Sequence, residues 1–367
     1  MNNAGTIACS VLYRTEDEQY GESIRQFQGC PTLAVTRGGR IYLGWYSGGT
    51  TEPHIENYNL LVYSDDDGKT WSKPLLVIPS NRDLCIHALD IQLWVDPNGA
   101  LHVFWVQNNV SPTTEEDCIP RINPFHPKVV RGGYLFEDYT HACWETVCAD
   151  PDAKDPCFGE PRYVGTGFLR CKPLTLTNGT QLNFNYEQID PRYAFSISHD
   201  GGKTYERRYG AQKLETPFDE TMAYERLDGS IRMLARTTLG ELGESISYDG
   251  GESWCEARLS GIDAPNTRFF IARTPSGRVL LIHNADRVDR KNMTLSLSED
   301  DGKTWQYNLC IDTRTHISYP DADFYNGRIY LTYDRERTGA KEILFASLTE
   351  EDIIKGNLPT INIVSKP

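Results

Sequence analysis

Six positions in this chain combine reactive side chains with regular spacing. Tight glycine turns recur at Gly39, Gly99, Gly179, Gly229, Gly277 and Gly327. Nine residues before each glycine stand Cys30, Asp90, Arg170, Glu220, Arg268 and Ser318, with Tyr319 one step on. Four of the six are charged, in segments that are otherwise apolar. Buried charge is costly unless it is paired or used. These residues therefore either pair with one another as structural salt bridges or meet a ligand. A carboxylate held there can move a proton, and a guanidinium can grip an anionic group with two parallel hydrogen bonds.

Equal offsets imply that these residues sit at equivalent places in a repeated element. Each glycine turn is followed by a strand-like run, such as Ile41–Trp45, Leu101–Trp105 and Val279–Ile282. Asn-Gly, Asp-Gly and similar pairs supply the positive φ of a tight hairpin turn. The glycine-to-glycine intervals are 60, 80, 50, 48 and 50 residues. A second pattern, Ser-x-Asp-x-Gly-x-x-aromatic, occurs four times: Ser64/Asp66/Gly68/Trp71, Ser198/Asp200/Gly202/Tyr205, Ser247/Asp249/Gly251/Trp254 and Ser298/Asp300/Gly302/Trp305. In each, a short acid can accept backbone N–H groups within its own turn and the aromatic can plug the hairpin base. A calcium loop at 64–68 is excluded, since the acidic residues an EF-hand needs at Tyr63 and at the loop's end are missing.

Two hairpins per repeat of about 50 residues, six times over, predict an all-β fold: a six-bladed β-propeller with four-stranded antiparallel blades. The whole chain, 1–367, reads as one such domain. The longer intervals leave room for an irregular insertion or degenerate blade over 110–165, rich in Pro, Asp, Glu and Cys. Residues 6–12 read as a strand that closes the ring by joining the last blade, because a propeller must hide its seam. One helical turn is expected over 349–355.

Composition narrows the function. Lys and Arg number 37 against 51 Asp and Glu, a net charge of −14. Such an acidic chain is ill suited to the phosphates of nucleic acid. No apolar run approaches the roughly 18 residues of a membrane span. With no basic and apolar leader at residues 1–8, a cytoplasmic location is expected. The ten cysteines form no CxxC pair and no zinc spacing with histidine, so no metal or cofactor is expected. They are expected to be reduced. Cys143, Cys148 and Cys157 form the densest group.

The four acidic turns are similar to the Asp-boxes of the sialidase (neuraminidase) superfamily, and the resemblance to bacterial sialidase-like proteins covers nearly the whole chain. Ser318-Tyr319-Pro320-Asp321 resembles that family's Tyr-x-Asp segment, which implies Tyr319 as nucleophile. Glu220 matches its partner Glu. Leu234-Ala235-Arg236 resembles the family's Asn-Ala-Arg, and Arg290-Lys291-Asn292-Met293-Thr294-Leu295 the strand with another arginine. Arg236 and Arg290 are thereby implied as carboxylate-binding residues. Two family features are missing. Phe27-Gln28-Gly29-Cys30-Pro31 stands where the family has Phe-Arg-Ile-Pro, so Arg25, Arg170 or Arg268 is expected to compensate. The loop that carries the family's acid/base Asp is Thr50-Thr51-Glu52-Pro53-His54-Ile55-Glu56-Asn57-Tyr58, with no Asp. Counting from Pro31 reaches His54. Glu56 lies two residues on, and Asp90, with His87 nearby, is a third candidate.

The chemistry of this set is coherent. Arginines bind the carboxylate that a 2-keto-acid sugar carries on its anomeric carbon. That charge repels a carboxylate nucleophile but not a neutral Tyr, and sialidases are an exception to the two-carboxylate rule. A phenol needs a base, and Glu220 can take its proton. The expected activity is hydrolysis of a terminal acidic sugar, sialic acid or another ulosonic acid, with retention. The expected partner is an acidic oligosaccharide or glycoside, met by a monomer or a simple homo-oligomer. Two alternatives remain open: a carbohydrate-binding propeller without catalysis, and a lyase or other glycosidase acting on uronic-acid glycans.

Overall fold

In the computed structural model, which describes residues 7, 10–117, 129–137, 141–187 and 190–367, strands dominate and helix is almost absent. They form six antiparallel four-stranded blades arranged as a propeller. Blade one is Gln28–Val35, Ile41–Ser47, Tyr58–Ser64 and Leu76–Pro79. Blade two is Ile86–Val95, Leu101–Pro112, Ala142–Cys148 and Arg162–Thr166. In blade three the inner strand is split into Phe168–Leu169 and Leu174–Thr175, followed by Gln181–Asn183 with Asn185–Tyr186, then Arg192–Ser198 and Glu206–Gln212. Blade four is Thr221–Glu225, Ile231–Ala235, Glu241–Ser247 and Arg258–Asp263. Blade five is Phe270–Arg273, Val279–Asn284, Met293–Ser298 and Tyr307–Asp312. Blade six is Ile317–Tyr325, Arg328–Arg335, Glu342–Thr349 and Ile361–Ser365.

The inner strands are covered on both faces, so they read as continuous rather than alternating apolar runs. Gln28–Val35 and Ile41–Ser47 are buried at every position. The six predicted turn glycines all take positive φ, from 75° to 96°. The window 110–165 holds the two outer strands of blade two and a short hairpin, Val129–Arg131 with Tyr134–Phe136, that pairs with the end of Leu101–Pro112. Residues 118–128 and 138–140 of that window lie outside the described residues. Glu350–Lys355 is a helix, capped by a Thr349/Asp352 capping box and ended by Gly356 at φ 75°.

The four acidic turns have one geometry. Ser64 Oγ meets Asp66 Oδ1 at 2.8 Å and accepts the Gly68 N–H at 3.0 Å. Asp66 in turn accepts the Thr70 N–H and hydroxyl at 2.9 and 2.7 Å. Each turn docks on the preceding blade. Trp254 packs edge-on against Phe184 and Phe195 of blade three, and Asp301 O accepts from Tyr224 of blade four at 3.0 Å. For blade one the preceding blade is blade six. Trp71 meets Phe345 at 5.4 Å between ring centres, and Tyr330 donates to Asp67 at 3.0 Å.

Ring closure differs from the sequence expectation. The N-terminal strand is Leu12–Tyr13, and it pairs with Leu76–Val77 at the outer edge of blade one. It cannot join blade six, whose outermost place is filled by Ile361–Ser365. Residues 6, 8 and 9 lie outside the described residues. The seam is closed by side chains instead. Asp321 of blade six accepts from Thr32 Oγ1 at 2.6 Å and Leu33 N at 3.0 Å, and Asp323 accepts from Val35 N at 2.9 Å.

Candidate active site

The inner strands of blades one, two and six break register at the same level, at Gly29/Thr32, Leu89/Gln92 and Ser318/Asp321. Cys30, Asp90 and Tyr319 sit in these bulges with φ of 55°, 60° and 56°. A bulge turns one side chain out of the strand's alternation, and here it turns them toward the axis. Arg170 lies in the gap of blade three's inner strand, and Glu220 and Arg268 lie just before the inner strands of blades four and five. The regular spacing in the sequence is thus a ring of interruptions at one height.

Tyr319 is at the centre. Its hydroxyl donates to Glu220 Oε1 at 2.7 Å and accepts from Arg236 Nη1 at 3.1 Å. The same Arg236 nitrogen donates to Glu220 Oε2 at 2.8 Å, and its Nε is held by Asn266 Oδ1 at 2.6 Å. The guanidinium carbons of Arg337, Arg170, Arg268 and Arg290 lie 4.3, 4.9, 5.3 and 5.8 Å from the Tyr319 ring centre. Burial pushes Tyr319 up to about 12, helped by the charge of Glu220 and opposed by Arg236 and Arg170. Burial also pushes Glu220 up, but Arg236, Arg170 and the Tyr319 hydroxyl outweigh it and bring it down to about 2. The proton between the two therefore rests on the phenol, with an ionised carboxylate ready to receive it.

A cavity of about 220 Å³ opens above this cluster. Arg170, Arg236, Arg290 and Arg337 line it together with Glu52, Asp90 and Glu220. The lining also has an aromatic and apolar part: Tyr46, Phe168, Tyr186 and Phe218, with Val129 and Phe136 from the blade-two hairpin. Asp90 forms a close ion pair with Arg170. Burial raises Asp90 to about 6, a rise that Arg170 limits and Glu52 and Glu220 reinforce. Arg290 is different. It donates only to Asn266 O at 3.0 Å and Ser318 Oγ at 3.5 Å, and no carboxylate pairs with it among the described residues. Burial, and then Arg337 and Arg236, lower its proton affinity. A buried cation among cations calls for an anionic ligand.

The family model for the BNR repeat-like domain matches residues 142–330, just over half of the chain, and that for the BNR/Asp-box repeat matches residues 62–73. The chain belongs to the BNR repeat-like domain family. No curated protein matches it. Solved structures similar to this BNR-repeat protein include sialidases and trans-sialidases. The NanB sialidase from Streptococcus pneumoniae superposes with a TM-score of 0.68 at 18% identity, over 95% of this chain and 72% of its own. The intramolecular trans-sialidase from Ruminococcus gnavus, in complex with oseltamivir carboxylate, gives 0.67 at 15% over 94% and 98%. The leech intramolecular trans-sialidase, complexed with 2,7-anhydro-Neu5Ac, gives 0.68 at 16% over 95% and 71%. At these identities the likeness establishes the shared propeller fold.

Of the catalytic and carboxylate-binding candidates singled out in the sequence of this BNR-repeat protein, Tyr319, Glu220, Arg236, Arg290, Arg170 and Asp90 meet at the cavity, and His87 also lines it. Four others do not. Arg268 lies beneath it and donates to the carbonyls of Arg170, Pro31 and Pro320 at 2.6, 3.1 and 3.0 Å, tying blades three, one and six together under Tyr319. Arg25 is bound to Ser365 Oγ and Tyr20 O, each at 3.1 Å. His54 is wedged between Gly49 and Gly132, with its backbone N–H donating to Asn57 Oδ1 at 2.7 Å. Glu56 turns outward to Arg82, at 2.7 Å. The acid that this loop sends into the cavity is Glu52.

Two charged lining residues escaped the sequence analysis: Glu52 and Arg337. Aligned on Pro31, Gly29 stands where the sialidase pattern has its first arginine. A Cβ on Gly29 would come within 2.7 Å of Arg337 Cδ. The Arg337 side chain thus lies across the space that a side chain at position 29 would fill. Its Nε is held by Asp334 Oδ2 at 2.9 Å, its Nη1 by Glu52 Oε2 at 2.6 Å, and its carbonyl accepts the Gln28 N–H at 3.1 Å. A glycine in an otherwise bulky inner strand was the available signal, but nothing in the sequence told which residue would cover it.

Proposed function

We propose that this protein is an exo-acting, retaining glycosidase of sialidase type that releases a terminal acidic sugar. The observation that carries the reading is the Tyr319–Glu220 hydrogen bond inside a cage of arginines. Arg236, Arg290 and Arg337 form the clamp for the sugar carboxylate, and Arg290 contributes a guanidinium that no carboxylate pairs with among the described residues. The ligands named for the similar trans-sialidase structures are consistent with such a clamp.

In this reading Tyr319 Oη attacks the anomeric carbon while its proton passes to Glu220. The bond to the leaving oxygen breaks as Glu52 donates a proton to it. Water, deprotonated by Glu52, then displaces Tyr319, which recovers its proton from Glu220. Two displacements retain the configuration. The nearby guanidiniums stabilise the phenolate character that develops on Tyr319. Arg170 and Arg268 position rather than bind. Arg170 is occupied by Asp90 and lies 3.5 Å from Glu220, and Arg268 braces the backbone beneath Tyr319.

The test is release of a fluorogenic aryl group from an α-sialoside, beside aryl uronides and other ulosonic-acid glycosides. Tyr319→Phe is expected to cut kcat by at least about a thousandfold while the variant stays folded and still binds the free acid. Near-normal turnover in that variant would remove Tyr319 from the nucleophile role. Binding without turnover in the unaltered protein would favour the lectin-like alternative.

A further inference from the structure

Arg337 has two claims on it. Its Nε is anchored to Asp334, and Asp334 is itself fixed by Cys30 N at 2.8 Å and Ser318 Oγ at 2.6 Å. The two terminal nitrogens are what remain for other partners. One of them, Nη1, is taken by Glu52 at 2.6 Å, and the other reaches Ser318 Oγ only at 3.5 Å. An acidic sugar drawn into the cavity by Arg236 and Arg290 must therefore compete with Glu52 for the same edge of the same guanidinium. The contest is uneven in mobility. Arg337 is pinned by Asp334, whereas Glu52 lies in the Gly48–Asn57 loop with about a third of its side chain open to solvent.

We propose that Arg337 is shared in turn between Glu52 and the carboxylate of the incoming sugar, so that the substrate itself converts Glu52 from a paired carboxylate into a protonated acid. This inference rests on the acidic-sugar reading and extends it. Before binding, Glu52 is a carboxylate held by Arg337. On binding, the sugar carboxylate takes the Arg337 edge, and Glu52 is left beside Asp90 and near a second anion. A carboxylate in that setting takes up a proton from solvent. The charge balances: one anion and one proton enter together. The acid is then loaded only when a leaving oxygen is present to receive its proton.

Among the described residues, the groups coupled to Glu52 include Arg337, Asp90, Tyr46 and Cys30. Burial raises Tyr46 well above its ordinary range and Cys30 to about 12, so neither changes charge near neutrality. Asp90 does titrate in this range, and it needs its own control. Gly29 is part of the device, because a larger residue there would displace the Arg337 stem.

The experiment is calorimetric titration of the protein with N-acetylneuraminic acid and with 3-deoxy-manno-oct-2-ulosonic acid, in buffers of different ionisation enthalpy. Their methyl esters are the uncharged controls. Uptake approaching one proton per bound acid is expected as the pH is lowered from about 8 to 5.5, with affinity rising by up to about tenfold per pH unit. Glu52→Gln should abolish the uptake and bind the acid more tightly above pH 7, since its competitor charge is gone. Asp90→Asn should retain the uptake. Binding without proton uptake, uptake that survives in Glu52→Gln, or weaker binding by that variant would each overturn the proposal. If neither acid binds, or the esters bind equally well, the acidic-sugar reading itself falls and this inference with it.

Discussion

Gly29 and Arg337 show how one side chain's absence is answered by another's presence. The inner strand of blade one carries no arginine at position 29, and the arginine that reaches Tyr319 there comes from blade six. Gly29 is not among the residues with positive φ, so its backbone tolerates alanine. The obstacle is the added methyl, 2.7 Å from Arg337 Cδ. Gly29→Ala is expected to leave the fold intact and weaken binding of the acidic sugar by about ten- to a hundredfold, the loss of one charge-assisted hydrogen-bond pair. An inhibition constant for the free acid, compared between variant and parent, checks this; an unchanged constant would mean that Arg337 is not part of the clamp. Tyr319, Glu220, Arg236 and Arg290 were legible in the sequence because their types and order follow a known motif. Glu52 and Arg337 were not, because a loop's inward-facing residue depends on how the loop is tied down. Here the ties are Asn57, which holds His54, and Arg337, which holds Glu52.

At the scale of the element, two devices repeat around the ring. The bulges aim Cys30, Asp90 and Tyr319 inward, and the acidic turns fasten each blade to the one before it. The turn of blade one has the further task of joining the chain's first blade to its last. Gly68 has no room for a side chain, since a Cβ there would collide with the Phe345 ring, and Trp71 packs on the same ring. Trp71→Ala is expected to lower the unfolding free energy by about 2–4 kcal/mol, through lost burial and the cavity left at the seam. Urea unfolding measures this, and a midpoint unchanged from the parent would show that the seam holds without the turn. The periodic turns were readable because glycine and aspartate are demanded by local geometry. The partner of each turn was not, because packing against the preceding blade is a contact between residues far apart in the chain.

At the scale of the whole molecule, the buried charges at the axis couple the fold to pH. Glu220 lies near 2 in the folded protein against an ordinary 4.5, so the stability it contributes is complete above about pH 4.5 and is lost as the pH falls toward 2. A shift of that size corresponds to roughly 3 kcal/mol. Asp90 acts in the opposite sense. Its folded value is raised to about 6, so its contribution is complete below about 3.8 and is lost as the pH rises through 6. Unfolding free energies between pH 2 and 7 should therefore fall on the acid side, and Glu220→Gln should flatten that limb. An identical acid limb in the variant would show that other carboxylates, such as those of the acidic turns, carry the dependence.

The sequence by itself determined the blade count, the turns and the ring of charged positions, because these depend on short-range geometry: the conformations that Gly, Asn and Asp allow and the apolar runs between them. It also determined the pairing of a Tyr with a Glu and two arginines, through a recognisable motif. Only the tertiary structure decided how the ring closes, which arginine fills the space beside Gly29, and which acid faces the cavity. Those depend on blades one and six meeting across more than 300 residues of chain, as Gln28 does with Arg337 and Arg25 with Ser365. No local preference encodes such a meeting. It follows from packing six wedges around one axis until the first touches the last.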